Sequence, residues 1–154
     1  MTKEFLKQLE GSWEGTCRTW FEPGELADES AVKGTIAPLL NGRFVRHVYE
    51  GSMQGKPRHG EELIAYNATT KLFQISWVDD FHMSGAILFS EGEGTAQGFW
   101  VLGKYDVGPG LPQWGWRTEF VLINATHLTI SAYNQMPEED EALAVETKYA
   151  RTAD

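Results

Sequence analysis

From residue 12 to residue 151 the chain is a succession of short runs in which apolar and polar residues alternate, broken at short intervals by Gly, Pro, Asn or Asp. Period-two alternation is the mark of a strand with one buried face. It predicts strands over 12–21, 30–38, 43–53, 59–67, 71–79, 83–90, 95–106, 115–124, 127–136 and 142–151. The breaks carry turn chemistry, as in Glu22-Pro23-Gly24, Leu40-Asn41-Gly42, Gln54-Gly55-Lys56-Pro57, Asn67-Ala68-Thr69 and Asn124-Ala125-Thr126. Most are short enough for hairpins, which favours an up-and-down meander. Before the strands, Phe5, Leu6 and Leu9 fall at helical spacing, so residues 2–9 form a short helix that Gly11 ends. About ten antiparallel strands must close or split into two sheets, and closure removes exposed edges. The expected fold is therefore all-β: a closed or nearly closed antiparallel up-and-down barrel of about ten strands with a short N-terminal helix, one domain over 1–154.

The two ends of this pattern belong together. Gly11-Ser12-Trp13 opens the first strand and Tyr149-Ala150-Arg151 closes the last. In a closed barrel these strands are neighbours, so the Trp13 indole can plug the base while Arg151 stacks on it. Trp13 and Arg151 are read as a structural latch.

Composition narrows the class. Apolar residues make up 42% of the chain, and six Trp, five Tyr and eight Phe supply a large aromatic content, enough for a globular core without disulfides. The formal net charge of −9 opposes nucleic-acid binding, which needs clustered Lys and Arg. No run of about eighteen apolar residues is present, so no membrane partner is expected. A single Cys17 and the absence of an apolar leader favour a cytoplasmic protein.

Candidate chemistry lies in the middle strands. Val45, His47 and Tyr49 share one face of the third strand, while Phe44, Arg46, Val48 and Glu50 share the other; both faces mix polar with apolar, and the choice between them stays open. Glu62, Ile64 and Tyr66 alternate in the fourth strand. The fifth carries its heavier face on Phe73, Ile75, Trp77 and Asp79. Asp79 would thus stand at a cavity rim with a raised pKa unless a cation, Arg46, Arg117 or His82, offsets burial. Asp80 and His82 lie on one face if that segment is extended, an acid–base pair or two metal ligands. Two ligands fall short of a zinc site, and no metal is expected. Trp114 and Trp116 share a strand face, and Tyr133 and Glu146 are candidates for interior polar anchors. No nucleophile motif or phosphate loop is present.

Taken in order, Leu9-x-Gly-x-Trp13, Leu40-x-Gly-Arg-Phe44, Tyr49-x-Gly51 with Gly55-x-Pro57, Gly60 through Tyr66-Asn67, Trp77-Val-Asp79 and Glu146-x-x-Tyr149-x-Arg151 resemble a calycin-like, mainly bacterial family catalogued as domain of unknown function 1579. The resemblance implies a lipocalin-like barrel and no settled activity. The start is also similar to nitrobindin, whose motif is Gly-x-Trp-x-Gly-x-Gly; here Cys17 replaces the last Gly. That likeness implies haem held by a late-strand His, for which only His127 is available.

These features support a barrel that binds a small, partly apolar ligand, with Tyr49, Glu62, Tyr66, Trp77, Asp79, His82, Trp116 and Tyr133 as the residues facing it and no cofactor required. The alternatives are a cofactor-free isomerase or hydrolase built on a buried Asp79 or Glu62, haem binding, or a homodimeric interaction module pairing through a Trp-rich outer face.

Overall fold

The alternation is realised as ten antiparallel strands: β1 (Gly11–Glu22), β2 (Glu25–Leu39), β3 (Phe44–Met53), β4 (Lys56–Asn67), β5 (Leu72–Asp79), β6 (Leu88–Gly92), β7 (Gly98–Tyr105), β8 (Trp114–Asn124), β9 (His127–Gln135) and β10 (Ala142–Arg151), preceded by helix α1 (Lys3–Gln8). The computed structural model describes residues 3–82 and 85–153. Each strand pairs with the next, and β1 pairs with β10, so the sheet closes into a barrel. Trp13 stands opposite Arg151 across that seam.

β7 begins at Gly98 and not at 95, and three further strands differ from the pattern-based expectation. β2 begins at Glu25 and not at 30, because Pro23 and Gly24 alone make the turn: Gly24 takes φ 79° and Glu22 pairs directly with Glu25. β4 begins at Lys56 and not at 59, because Gln54 and Gly55 both adopt positive φ, 50° and 82°, the two-residue hairpin geometry. β6 covers Leu88–Gly92 instead of 83–90, and Met83 and Ser84 of that expectation lie outside the described residues, as does Thr2 of the expected helix. The β5 ladder stops at Asp79, whose side chain takes the backbone N–H groups of Phe81 and His82 at 2.7 and 2.9 Å. Those donors are then lost to a sheet. Asn67 and Asn124 act in the same way at two tight turns, accepting from the backbone of Thr69 and Thr126.

Because successive strands run in opposite directions, Trp13, Ile36, Val45, Ile64, Phe73, Phe99, Phe120 and Leu128 collect at one end, all fully buried. This base is aromatic and filled. Phe73, Phe99 and Phe120 stack at centroid distances of 4.4 and 4.8 Å, and Phe5 of α1 meets Phe99 edge-on at 6.1 Å. Each such pair adds about 0.5–1.5 kcal/mol beyond area burial. Trp13 Nε1 donates to the Leu9 carbonyl at 2.9 Å, and Arg151 lies 4.3 Å above the indole. The same guanidinium donates to the carbonyls of Gln8, Glu10 and Ala125. These contacts tie α1, β1 and β10 together.

The outer face is less rich in Trp than expected, since Trp13, Trp77 and Trp116 are all buried inside. No described helix is long and apolar enough to cross a membrane.

Candidate functional site

Above the filled base the interior turns polar. The open question at β3 is settled: His47 and Tyr49 are buried, while Arg46, Val48 and Glu50 face outward. Opposite β3, the β4 alternation runs inward through Arg58, Gly60 and Glu62. Gly34, Tyr49, Gly60 and Asp79 lie in one row across β2 to β5. Tyr49 crosses Gly60 to reach Asp79, and this path exists because residue 60 has no side chain: a Cβ there would stand 2.1 Å from Tyr49 Oη.

Asp79 is the hub. Its Oδ2 accepts from the Tyr49 hydroxyl and from Arg58 Nε at 3.1 Å. Oδ1 accepts the two backbone N–H groups and His82 Nδ1 at 3.3 Å. Burial pushes this carboxyl up, as expected from sequence, but the hydrogen bond from His82, the Arg58 charge and the Tyr49 hydroxyl outweigh it. The result is a carboxylate held well below its usual range. Of the three groups named to offset burial, His82 reaches the carboxylate, through a hydrogen bond, whereas Arg46 and Arg117 face outward and pair with Glu61 and Glu141. Arg58 takes their place. Burial opposes its charge, yet Tyr49, Asp79 and Cys17 overcome that and keep it cationic. Its Nη1 lies 3.4 Å from Cys17 Sγ. Burial also raises the Tyr49 hydroxyl well above its ordinary range, so it donates to Asp79 while receiving Trp77 Nε1 at 2.9 Å.

A second chain of polar contacts stands beside the first. Glu62 Oε1 lies 2.7 Å from His47 Nδ1, and His47 Nε2 lies 2.9 Å from the Tyr149 hydroxyl. Burial, then the Glu62 charge, holds that hydroxyl in its protonated form. Tyr149 passes over Gly34 as Tyr49 passes over Gly60.

These groups border a chamber of about 60 Å³, closed toward the mouth by the stacked indoles of Trp77 and Trp116, 5.5 Å apart and 12° from parallel. On the far side of the same indoles is a vestibule of about 210 Å³, bordered by Thr19, His82, Tyr105 and Asn134 and flanked by Phe21 and Phe81. The chamber has room for a few waters but not for an aromatic ring. The vestibule is the roomier of the two. A hollow of about 690 Å³ outside β1 to β5 is larger than either, but it opens to solvent and is edged by Glu14, Lys33, Glu50 and Asp80. Tyr49 and Asp79 also border it, but its other polar side chains are exposed or half-buried.

Of the residues expected to face a ligand, Tyr49, Glu62, Trp77, His82 and Trp116 border the chamber or the vestibule, and Asp79 lies behind Tyr49 and His82, bonded to both. Tyr66 does not: it packs against Phe73 at 5.0 Å in the base. Tyr133 lies on the outer face under the Arg117 guanidinium, 4.5 Å away, and Glu146 is outside near Lys148. Odd positions of β9 point outward, and a bulge between Leu143 and Val145 shifts the β10 phase. Asp80 is separated from His82, because the chain turns after Asp79; it pairs with His59 on the surface. His127 is exposed at the β8–β9 turn and contacts Thr126 and Asn124, so it offers no axial position inside the barrel, and the chamber is far smaller than a porphyrin. Arg58, His47, Tyr149 and Thr19 were missed. Among the described residues, no group of three or more His, Cys, Asp or Glu is arranged to hold a metal ion.

The chain belongs to the family described as "Protein of unknown function (DUF1579)", whose model matches residues 1–151. No curated protein matches it. Among solved structures it is similar to an S-type phycobiliprotein lyase from Guillardia theta, with a TM-score of 0.68 and 13% identity over 100% of this chain and 94% of that one. It is likewise similar to Rv2717c from M. tuberculosis, with a TM-score of 0.67 and 13% identity over 97% and 96%. At that identity the likeness is one of fold.

Proposed function

We propose that this member of the family binds one small, partly apolar molecule, taken in through the barrel end opposite α1. The observation that carries the reading is the contrast between the two halves of one interior. The base is filled with apolar side chains, whereas the upper half buries Arg58, Asp79, Glu62 and His47 around hollows that share Trp77 and Trp116. Concave, mostly apolar hollows with a few fixed polar groups are the usual form of a small-molecule site. Likeness to a phycobiliprotein lyase supports the reading as a precedent for this fold acting on another molecule.

The ligand rests against the indoles in the vestibule, since the chamber beneath is too small for it. The test is titration with 2-naphthol, a neutral and partly apolar bicycle, followed by Trp emission and by the melting temperature. Binding to the native state raises the melting temperature by mass action. Ala144→Phe fills the vestibule and should abolish both signals. No response in the parent protein, or an undiminished response in Ala144→Phe, refutes the proposal.

A second reading is cofactor-free acid–base catalysis, favoured by the line of Glu62, His47 and Tyr149 beside the chamber. Glu62 is the carboxylate for that role, because both Asp79 oxygens are already filled by donors. Glu62→Gln should then abolish turnover of a substrate while leaving its binding intact, and unchanged turnover would rule the reading out.

A further inference from the structure

The walls of the vestibule say more about the ligand than its size does. Trp77 and Trp116 present parallel indole planes, and His82 leans on both at 5.4 and 5.9 Å. At the rim Phe21 and Phe81 stack on each other at 6.1 Å although both are about half exposed, 53% and 44%. Flat surfaces that line an opening favour a flat guest.

The polar groups along these walls are few and incompletely used. Thr19 is 2% exposed, borders the vestibule, and its hydroxyl has no hydrogen-bond partner among the described residues. Buried hydroxyls are normally satisfied, so this one calls for an explanation. Tyr105 donates its hydroxyl to Asn134 Oδ1 at 2.5 Å, which turns the Asn134 amide nitrogen into the group left to donate. His82 gives Nδ1–H to the ionised Asp79, leaving Nε2 as its second polar atom. Among the described residues, no Lys, Arg, Asp or Glu borders this hollow. An anion meets no Lys or Arg there. A cation meets no free carboxylate, because Asp79 lies behind His82 and is already filled.

Resting on the container reading, we infer that the vestibule takes an uncharged planar heteroaromatic molecule, stacked on the Trp77–Trp116 pair and hydrogen-bonded through its rim to the Thr19 hydroxyl. A hydrocarbon of the same shape would leave Thr19 unpaired, as it is in the free protein, and so forgo the hydrogen bond that the heteroaromatic gains.

Equilibrium dialysis of the full chain against four probes tests this: lumichrome as the neutral heteroaromatic, naphthalene as the hydrocarbon, 2-naphthoate as the anion and N-methylquinolinium as the cation. The expected order puts lumichrome first, about tenfold ahead of naphthalene, the weight of one net hydrogen bond. Thr19→Val keeps the shape and removes the hydroxyl; it should weaken lumichrome about tenfold and leave naphthalene unchanged. The inference is overturned if naphthalene equals lumichrome, if either charged probe binds tightest, or if Thr19→Val leaves lumichrome unaffected. Naphthalene bound and displaced by Ala144→Phe, with lumichrome excluded, overturns this inference while the container reading stands. Failure of every probe removes both.

Discussion

Replacing Gly60 by Ala adds one methyl group to the interior face of β4, and its consequences can be worked out atom by atom. Gly60 lies in ordinary extended backbone, so the substitution brings no φ penalty. The new Cβ would stand 2.1 Å from Tyr49 Oη and 2.3 Å from Cζ, where ordinary contact needs 3.4 Å or more. Tyr49 must therefore leave its place above residue 60, and the neighbouring chamber of about 60 Å³ is too small to take its ring, so its surroundings must shift as well. What it gives up are its hydrogen bonds to Asp79 and from Trp77 Nε1. A bond to a charged group is worth about 1.5–3 kcal/mol, and an orphaned buried N–H costs about 1–3 kcal/mol. The expected loss is about 3–5 kcal/mol, a large part of a typical domain's stability of roughly 5–15 kcal/mol. Gly115→Ala is the matched control, since its Cβ would meet nothing nearer than 3.4 Å. Urea denaturation should place Gly60→Ala far below the parent and Gly115→Ala within about 0.5 kcal/mol of it. Equal midpoints for the two variants would refute the argument that Gly60 exists to let Tyr49 pass.

Asp79→Asn should cost about 3–5 kcal/mol at neutral pH by leaving Arg58 buried without its counter-charge. Because the folded pKa of Asp79 lies below its unfolded value, its contribution is complete above roughly pH 4 and is lost as pH falls further. The gap between parent and variant in urea melts should thus narrow in acid, and a gap constant from pH 7 to pH 3 would contradict the assignment. Thr19→Val should raise stability in the unliganded protein by about 1 kcal/mol, read as a higher urea midpoint, since it removes an unsatisfied buried hydroxyl. Arg151→Leu should cost about 2–3 kcal/mol through its carbonyl bonds and its stacking on Trp13, while 2-naphthol binding by the folded fraction stays as in the parent; a binding defect without a stability defect would deny the latch.

The barrel was legible because alternation and turn residues act locally, and each hairpin reports its own register. Trp13 and Arg151 could be paired in advance since closure makes first and last strands neighbours, whatever the details between them. The polar interior was harder. Val45, His47 and Tyr49 could not be told from the opposite face of β3 because a ligand-sized, partly polar interior removes the contrast on which the pattern depends. Arg58 was lost to a boundary: with β4 begun at 59, the series Glu62, Ile64, Tyr66 was not carried back through Gly60 to Arg58, although Gln54-Gly55 marks the turn that permits it. Tyr133 and Glu146 were misplaced although alternation places both outside: Tyr133 is out of step with the inward Leu128, Ile130 and Ala132, and Glu146 with the inward Val145 and Tyr149. The Asx turn at Asp79 undid the Asp80 and His82 pairing, because its side chain takes the backbone donors of Phe81 and His82 and the segment after it turns instead of staying extended.

The half of the barrel that resists prediction is also the half that stability does not explain. Buried ion pairs seldom gain more than their desolvation costs, and well-packed apolar replacements are commonly neutral or stabilising. This chain packs apolar side chains without difficulty, as the Phe73, Phe99 and Phe120 stack shows a few residues away along the same strands. Yet one or two steps further up it buries Arg58, Asp79, Glu62 and His47, opens space between them, and clears Gly34 and Gly60 so that two tyrosines can reach across. Two glycines and a charged network are expensive ways to fill a cavity and reasonable ways to hold Trp77 and Trp116 in fixed positions at its mouth, since Trp77 is tied to the network through Tyr49 and Trp116 is stacked on Trp77. The network acts as the floor that fixes the aromatic surface, and the proposed binding takes place on the side of the indoles that faces the vestibule.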